Sequence, residues 1–293
     1  MRDNVNSGPR GFRELMNAGF ISIPGVFDGI SAILAERAGF KAGYLSGSAV
    51  AAVMGLPDLS VTTLTEVAAE VQKITSITPI PIIVDADTGF GETINVSRTV
   101  RVLEKAGSAG MHIEDQVLPK RCGHLNGKKI VEQEEMIKKI ISATQTRRDP
   151  DFVIIARTDA RSVNGIDDAI ERANSYVEAG ADVIFTEALE SADEFRKFAK
   201  SVKAPLLANM TEFGKSPIMS SEELKKAGYS MVIFPLTAFR ATLRTLESVY
   251  GKLFREGTQE GFMDMLMTRS EFYRNIGYDQ YEKDDREILD RLQ

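Results

Sequence analysis

The sequence is poor in cysteine and has neither a long hydrophobic run nor an excess of basic residues. Its one cysteine, Cys122, cannot form an internal disulfide, which fits a reducing compartment and leaves a free thiol. No stretch approaches the roughly 18 consecutive apolar residues of a membrane helix, and the first residues lack the apolar segment of a signal peptide. The sequence therefore predicts a cytoplasmic protein with no membrane partner.

The charge balance also excludes a class of partner. The formal net charge is −6, which argues against a broad basic surface of the kind that binds nucleic acid. A few inward-pointing arginines can still bind small carboxylates, whatever the overall charge. We therefore expect a small-molecule ligand and no nucleic-acid partner.

The chain of 293 residues, 43% of them hydrophobic, is long enough for one large core. Short apolar runs bounded by turns recur along it and predict strands. Between them, Val96, Val100 and Leu103 repeat at i, i+4 and i+7, which is typical of a helix that buries one face. The eight predicted strands cover residues 21–28, 42–47, 81–87, 109–115, 152–160, 181–188, 205–212 and 231–236.

Ala-Gly pairs close several helical stretches just before a strand, where glycine is an expected helix stop. They are Ala38-Gly39, Ala106-Gly107, Ala179-Gly180 and Ala227-Gly228. Eight alternating units with continuously apolar strands predict an α/β fold, a (β/α)8 barrel, with an open doubly wound sheet as the alternative. We expect a single domain over residues 1–293, in which residues 251–293 form an acidic helical tail.

Polar residues gather at the carboxyl ends of the predicted strands. In a parallel barrel all these ends open onto one face, where active sites lie, so we expect the polar residues to converge on one pocket. They are Ser46, Asp85, Asp87, Glu114, Asp115, Arg157, Asp159, Glu187, Asn209 and Thr211.

Two of these carboxylates suggest a metal site. Asp85 and Asp87 are two residues apart, which would place them on the same side of an extended chain, and Mg²⁺ prefers such oxygen ligands. A turn cap for one aspartate and an ion pair for the other explain the motif equally well. Glu114, one strand further on, could hold a metal-bound water. His112 is more typical of a hydrogen-bonded core histidine than of a ligand.

The loop after the fourth strand surrounds the cysteine with three basic residues, Lys120, Arg121 and His124. Their charges would lower the pKa of the Cys122 thiol, as proton transfer near neutral pH requires. Gly123 would permit close backbone approach and lid motion. The alternative is an incidental cysteine on a basic loop.

Arginines can grip carboxylates through two parallel hydrogen bonds. Arg157 ends a predicted strand, which favours a role in the pocket. Arg240 and Arg269 lie further on, and by position alone they are more typical of structural ion pairs.

Motifs along nearly the whole chain carry a family resemblance. They are Tyr44-Leu45-Ser46-Gly47, Gly55-Leu56-Pro57-Asp58, Asp85-Ala86-Asp87-Thr88-Gly89-Phe90-Gly91, Ile113-Glu114-Asp115-Gln116, Lys120-Arg121-Cys122-Gly123-His124, Ala156-Arg157-Thr158-Asp159-Ala160 and Asn209-Met210-Thr211-Glu212-Phe213-Gly214. With them the sequence resembles the isocitrate lyase and phosphoenolpyruvate mutase superfamily, and within it the branch that cleaves 2-methylisocitrate. Ser48 departs from the glycine that the pattern has after Ser46-Gly47.

The resemblance implies an enzyme of propionate catabolism (the methylcitrate cycle) that splits 2-methylisocitrate, a tricarboxylate, into pyruvate and succinate. Mg²⁺, or Mn²⁺ in its place, would be held by Asp85 and Asp87, with Glu114 in an outer position. Cys122 would donate a proton to the succinate carbanion, and Lys120 and His124 would take part in catalysis. The base that takes the hydroxyl proton is left open between Tyr44, Asp58 and a water held by Glu114.

The same resemblance assigns a set of residues to substrate binding. They are Ser46, Gly47, Ser48, Cys122, Gly123, Arg157, Glu187, Asn209, Met210, Thr211, Arg240 and Arg269.

The sequence leaves alternative functions open. Isocitrate cleavage to glyoxylate and succinate differs only by a methyl group, worth about 1–3 kcal/mol of discrimination. Hydrolysis or phosphonate mutation is disfavoured by the cysteine loop, and a catalytically silent barrel that binds a dicarboxylate is the non-enzyme alternative.

The resemblance also implies a homotetramer in which the tail packs on a neighbouring subunit. Aromatic and aliphatic residues in the tail supply apolar surface for such a contact. They are Phe262, Met265, Leu266, Phe272, Tyr273 and Tyr278. The alternative is a tail that folds back onto its own barrel.

Overall fold

The computed structural model describes residues 7–291 and contains a closed barrel of eight parallel strands in sequence order. The barrel closes where β1 pairs with β8, with Ile21 opposite Met231. The predicted (β/α)8 fold is therefore confirmed and the open sheet is wrong. The strands are β1 (Ile21–Val26), β2 (Gly43–Leu45), β3 (Ile82–Asp85), β4 (Gly110–Glu114), β5 (Val153–Thr158), β6 (Val183–Thr186), β7 (Leu206–Asn209) and β8 (Met231–Phe234).

Helices surround the barrel and continue into the tail. They are α1 (Gly8–Ala18), α2 (Gly29–Arg37), α3 (Gly47–Val53), α4 (Leu64–Thr75), α5 (Thr93–Lys105), α6 (Gln133–Thr146), α7 (Ile166–Glu178), α8 (Ala192–Ser201), α9 (Ser221–Ala227), α10 (Thr237–Glu256), α11 (Arg269–Ile276) and α12 (Tyr278–Asp290), with 3₁₀ turns at Ala160–Ser162 and Glu260–Met265. None of the helices in the described part of the chain is long and apolar enough to cross a membrane.

Local sequence explains where these helices begin and end. Thr63 and Glu66 form a reciprocal capping box at the start of α4, which satisfies backbone N–H groups that a first helical turn leaves free. At the other end, Gly39, Gly107, Gly180 and Gly228 have φ of 101°, 89°, 102° and 100°. An L side chain is strained there, so the predicted glycine stops are confirmed.

The core has two layers. Strand side chains pack outward against the helices, as Val84 does with Val100. Inside the barrel, Ile23, Ile83 and Val153 pack together with Phe12, which α1 contributes. Because Phe12 is fully buried among residues of the strands, α1 closes the amino-terminal end of the barrel. The carboxyl end is left as the open face.

The tail makes only partial contact with its own barrel. Phe262 is 1% exposed, and the Arg37 side chain bonds to Arg274 and Asn275 of α11. No residue of α12 is buried. Fold-back onto the barrel therefore accounts for part of the tail's apolar surface and leaves the rest exposed.

Candidate active site

A cavity of about 390 Å³ opens at the carboxyl end of the barrel. That volume suits a small organic acid. Most of the predicted site residues line it: Tyr44, Ser46, Ser48, Asp58, Asp85, Lys120, Cys122, Gly123, His124, Arg157, Glu187, Asn209, Thr211 and Arg240. The expected convergence of strand-end residues is therefore present in the structure.

Other predicted residues lie off the cavity surface. The backbone N–H of Gly47 donates to Asp85 Oδ2 at 3.0 Å, so Gly47 supports the site from behind. Met210 is buried, and its sulfur accepts the N–H of Met219. Arg269 begins α11, is exposed and does not line the cavity. Its role in substrate binding stays a prediction.

Buried ligand atoms suited to a metal lie beside the cavity. One atom each from Asp85, His112 and Glu114 fall within 4.8 Å of one another. His112 Nε2 is 3.3 Å from Asp85 Oδ1 and 2.8 Å from the Tyr44 hydroxyl oxygen. The core histidine expected from the sequence is therefore buried and hydrogen bonded, but its ring nitrogen faces the site.

Asp87 does not share an extended strand with Asp85. Strand β3 ends at Asp85, and Asp87 has φ of 48°, in the left-handed region. The prediction that both carboxylates project from one side of an extended chain is wrong, because the chain turns between them. Instead, the Asp87 N–H donates to Asp85 Oδ1 at 3.0 Å, and Asp87 Oδ1 lies 3.0 Å from Lys120 Nζ.

Burial and charge set the ionisation of these carboxyls. Burial by itself would raise the pKa of Asp85, but His112 when protonated, Lys120 and Arg157 outweigh it and lower that pKa to about 2. Burial raises the pKa of Asp87 to about 6, with Lys120 opposing the shift. Burial also raises the pKa of Glu114 well above its usual range, although the Arg157 charge opposes it.

These residues fit a divalent cation. Glu114 Oε1 is buried and has no hydrogen-bond partner among the residues described, which is costly for a carboxylate unless it is protonated or a cation neutralises it. The Gly47 backbone lies so close that a Cβ there would be 3.1 Å from Asp85 Oδ2, a tight contact that a glycine avoids. Oxygen-rich ligand sets of this kind suit Mg²⁺ or Mn²⁺.

Arg157 contacts Glu114 of the candidate metal site as well as Asp159 and Phe185. Its Nη1 is 3.1 Å from Glu114 Oε2, and its Nε donates to Asp159 Oδ2 at 2.9 Å. The guanidinium lies 5.1 Å from the centre of the Phe185 ring. The buried guanidinium of Arg157 is thus fixed in position by carboxylates from two strand ends and by the face of an aromatic ring.

Two basic residues of the cysteine loop, Lys120 and His124, are paired with carboxylates. Lys120 Nζ bonds to Asp58 Oδ1 at 2.5 Å, and His124 Nε2 bonds to Glu187 Oε1 at 2.9 Å. His124 Nδ1 accepts the N–H of Lys215 at 3.0 Å, which leaves Nε2 to donate to Glu187.

The predicted lowering of the Cys122 pKa is wrong. Burial raises the pKa of the thiol, although the backbone N–H of His124 opposes the shift. Lys120 and His124 are paired with carboxylates, the Arg121 guanidinium contacts the Asn126 carbonyl, and these basic residues do not outweigh the burial of the thiol. At neutral pH Cys122 is therefore a protonated thiol, which is the form a proton donor requires.

This state of Cys122 can be tested by alkylation. Because only the thiolate reacts, we expect the rate with iodoacetamide to rise with pH and reach half its maximum above the ordinary thiol value of about 8.5. A short peptide containing Lys-Arg-Cys-Gly-His is the control, since it has the same neighbours without the burial. A midpoint at or below that of the peptide would contradict the raised pKa.

Sequence reasoning missed several residues that matter here. Phe185 lines the cavity and stacks with Arg157, and Leu125 and Ile233 add apolar lining. Lys128 is buried beneath the loop and bonds to Asp159 Oδ1 at 2.6 Å. Phe185 lies inside a predicted strand, so the periodicity of inward-facing positions was the signal available for it. No comparable signal marks Lys128.

The fold and cavity together define a class: a (β/α)8-barrel enzyme whose mouth combines a buried candidate cation site, a fixed guanidinium and a protonated thiol. The chain belongs to the phosphoenolpyruvate phosphomutase family, whose model matches residues 12–254. The family predicted from the sequence motifs is confirmed.

Individual relatives are similar to this chain over nearly its whole length. The chain is 55% identical over 277 residues to the 2-methylisocitrate lyase of Aeropyrum pernix, an alignment that covers 94% of this chain and 89% of the relative. A solved 2,3-dimethylmalate lyase superposes with a TM-score of 0.90 at 37% identity, covering 96% of this chain and 95% of that one. A phosphonopyruvate hydrolase solved with oxalate and Mg²⁺ has a TM-score of 0.87 at 29% identity, covering 96% and 99%.

Proposed function

We propose that this chain is a Mg²⁺-dependent carbon–carbon lyase that cleaves 2-methylisocitrate into pyruvate and succinate. One observation carries the proposal: the single thiol, kept protonated by burial, lines the same cavity as Asp85, part of the candidate cation site. The relative in Aeropyrum pernix is named for this activity, and the predicted enzyme class, a carbon–carbon lyase, is confirmed by that likeness.

Asp85 and Glu114 would hold the Mg²⁺ ion with Asp87 beside them, and Mn²⁺ is the closest substitute. When bound, such an ion favours loss of the proton from the substrate hydroxyl and offsets the charge of the adjacent carboxylate. The phosphonopyruvate hydrolase solved with Mg²⁺ supports this assignment, because its fold matches closely. His112 would fix Asp85 from behind through the 3.3 Å contact.

The remaining polar residues would bind the substrate carboxylates. Arg157 and Asn209 present fixed donors, since Asn209 Nδ2 is held 3.2 Å from Glu187 Oε2. Arg240 is 3.8 Å from Glu212, and its side chain is 43% exposed, so it is free to turn towards an anionic ligand. Thr211 and the Gly123 backbone complete the proposed carboxylate contacts.

Bond cleavage leaves an electron pair on the succinate carbon, and that pair needs a proton. Cys122 Sγ would supply it, because the raised pKa keeps the thiol protonated until a strongly basic carbanion forms beside it. Burial and the charge of Asp85 raise the pKa of the Tyr44 hydroxyl, which favours its protonated form. The base stays open between Tyr44 and Asp58, which both line the cavity, and a water held by Glu114.

Water must be excluded while the carbanion exists. His124 and Glu187 join the cysteine loop to the barrel wall, and a Cβ on Gly123 would lie 2.5 Å from Arg157 Nη2. The loop therefore lies directly against the guanidinium. We propose that this docked arrangement is the closed state of a lid.

Product identification tests the proposed reaction. With 2-methylisocitrate and Mg²⁺, we expect pyruvate and succinate in equal amounts, and with isocitrate a value of kcat/KM lower by about 10- to 200-fold. Phosphonopyruvate, tested in parallel, should give no product. Pyruvate with no succinate, or faster turnover of isocitrate, would contradict the assignment.

We also propose that residues 251–293 pack on a neighbouring subunit in a homotetramer. The exposed apolar side chains of the tail support this, among them Met265 and Phe272, which are 53% and 46% exposed. In such an assembly Arg269 could reach a site other than that of its own chain. We also propose a cytoplasmic location, because the single free thiol fits a reducing compartment.

A further inference from the structure

The loop that carries Cys122 is joined to the barrel at its base by a short antiparallel contact. Gln116 bridges to Ile130, and the Val117 N–H donates to the carbonyl of Lys129 at 2.8 Å. Beyond this base, Leu118 and Leu125 are exposed. Pairing at the base fixes where the loop leaves and rejoins the barrel, but it does not fix the Cys122 segment over the cavity.

Lys120, His124 and Gln116 hold parts of this segment, and Lys128 adds a buried contact directly to the residue after Cys122. The Lys128 side chain, 1% exposed, runs beneath the loop, and Nζ donates to the carbonyl oxygen of Gly123 and to Asp159 Oδ1, the latter at 2.6 Å. Asp159 in turn accepts two hydrogen bonds from Arg157, at 2.9 and 3.2 Å. One buried ammonium thus joins the residue after Cys122 to the carboxylate that orients Arg157.

We infer that Lys128 is a positioning residue that holds the Cys122 loop in its docked state and fixes the loop relative to Arg157. The inference rests on the proposed role of Cys122 and names a residue that the reaction itself does not use. Lys128 does not line the cavity, so it acts through Gly123 and Asp159.

Charge and burial explain why a lysine is suited to this place. A buried ammonium is tolerated only where acceptors pair with it, and here a carboxylate and a carbonyl do so. Asp159 is itself anchored, since its N–H donates to Asp115 Oδ1 at 2.8 Å. Asp115 Oδ2 also accepts the hydroxyl of Tyr176 at 2.9 Å. The loop is thereby tied through Lys128 to a rigid part of the barrel.

Removing the ammonium would leave the Gly123 carbonyl without its donor when the loop is docked. The undocked loop can bond to water instead, so the docked state loses stability relative to the open one. The base pairing at Val117 and Lys129 does not involve the Lys128 side chain and should survive. We therefore expect local opening of the loop with the barrel intact.

The test uses the full chain with Mg²⁺ and exploits its single thiol. Reaction of Cys122 with dithiobis(nitrobenzoate) reports loop opening without any need for turnover. We expect Lys128→Met to raise the rate by about ten- to a hundredfold, the range for a lost charge-assisted hydrogen bond. Lys129→Met is the matched control, because Lys129 is adjacent and exposed. Its rate should equal that of the unchanged protein.

Further readouts separate loop positioning from general destabilisation. The faster rate should be nearly independent of low urea concentrations, because local opening exposes little surface, whereas global unfolding would make it climb steeply. Lys128→Arg should recover part of the thiol protection and part of kcat, since it keeps the charge and the donors. Lys128→Gln covers the case in which the methionine variant does not fold.

A folded Lys128→Met or Lys128→Gln protein whose thiol reacts at the original rate would overturn the inference. So would a rate increase that follows urea like global unfolding. The thiol assay needs no substrate, so it remains decisive even if the chain proves inactive on 2-methylisocitrate. Failure of the proposed reaction and failure of the Lys128 assignment are therefore distinguishable.

Discussion

Replacing Asp85 with asparagine is expected to lower kcat at least about a hundredfold and to weaken Mg²⁺ binding markedly. The substitution keeps the shape of the side chain, but it removes the one carboxylate of the candidate cation site whose pKa lies as low as about 2. It also alters the side chain that accepts hydrogen bonds from the backbone N–H groups of Gly47 and Asp87. Calorimetric titration with Mg²⁺ and a coupled assay for pyruvate measure the two effects.

Asp167→Asn is the control for this change, since Asp167 forms an exposed ion pair with Lys197 and does not line the cavity. It should leave metal binding and kcat unaltered. Full turnover by the unchanged protein after exhaustive chelation would contradict the metal assignment. A kcat for Asp85→Asn within a few-fold of that of the unchanged protein would contradict it too.

Replacing Cys122 with serine should reduce kcat by about 10²- to 10⁴-fold, the range for loss of a positioned general acid. A serine hydroxyl is close in size to the thiol but a far weaker acid, so protonation of the succinate carbanion would become slow. Binding should persist, because the metal and carboxylate contacts come from other residues. The pyruvate assay measures kcat, and the rise in melting temperature with Mg²⁺ and succinate measures binding.

The two measurements identify the failed step. Lost turnover with retained stabilisation by succinate places Cys122 in the chemical step. Lost stabilisation would instead mean that the substitution disturbs the docked loop, which Gln116 brackets by hydrogen bonds of 2.8 and 3.0 Å to the Arg121 backbone. Near-normal turnover would remove Cys122 as the proton donor.

The fold could be predicted from the sequence because its determinants are local. Apolar runs of strand length and glycines such as Gly107 and Gly180 repeat with each unit, and closure follows from their number. The predicted strands were longer than the observed ones. Residues 87 and 159, for example, lie beyond the ends of β3 and β5, because polar side chains at the mouth leave the strand geometry for loops.

The convergence of the site could also be predicted, since parallel strands place their carboxyl ends together. The pairing of charged side chains within the site could not be predicted. Lys120 reaches back to Asp58, and His124 reaches across to Glu187, so the charge around Cys122 depends on contacts that sequence neighbours do not reveal. The same holds for burial, which reverses the expected direction of the pKa shift at Cys122.

The buried Phe12 has a consequence for how such a barrel handles its ligands. Since α1 seals the opposite end, the substrate and both products must share the passage beneath the Cys122 loop. The two products must leave in turn, and a lingering product occupies the route that the next substrate needs. Product release is therefore expected to depend on opening of the Cys122 loop.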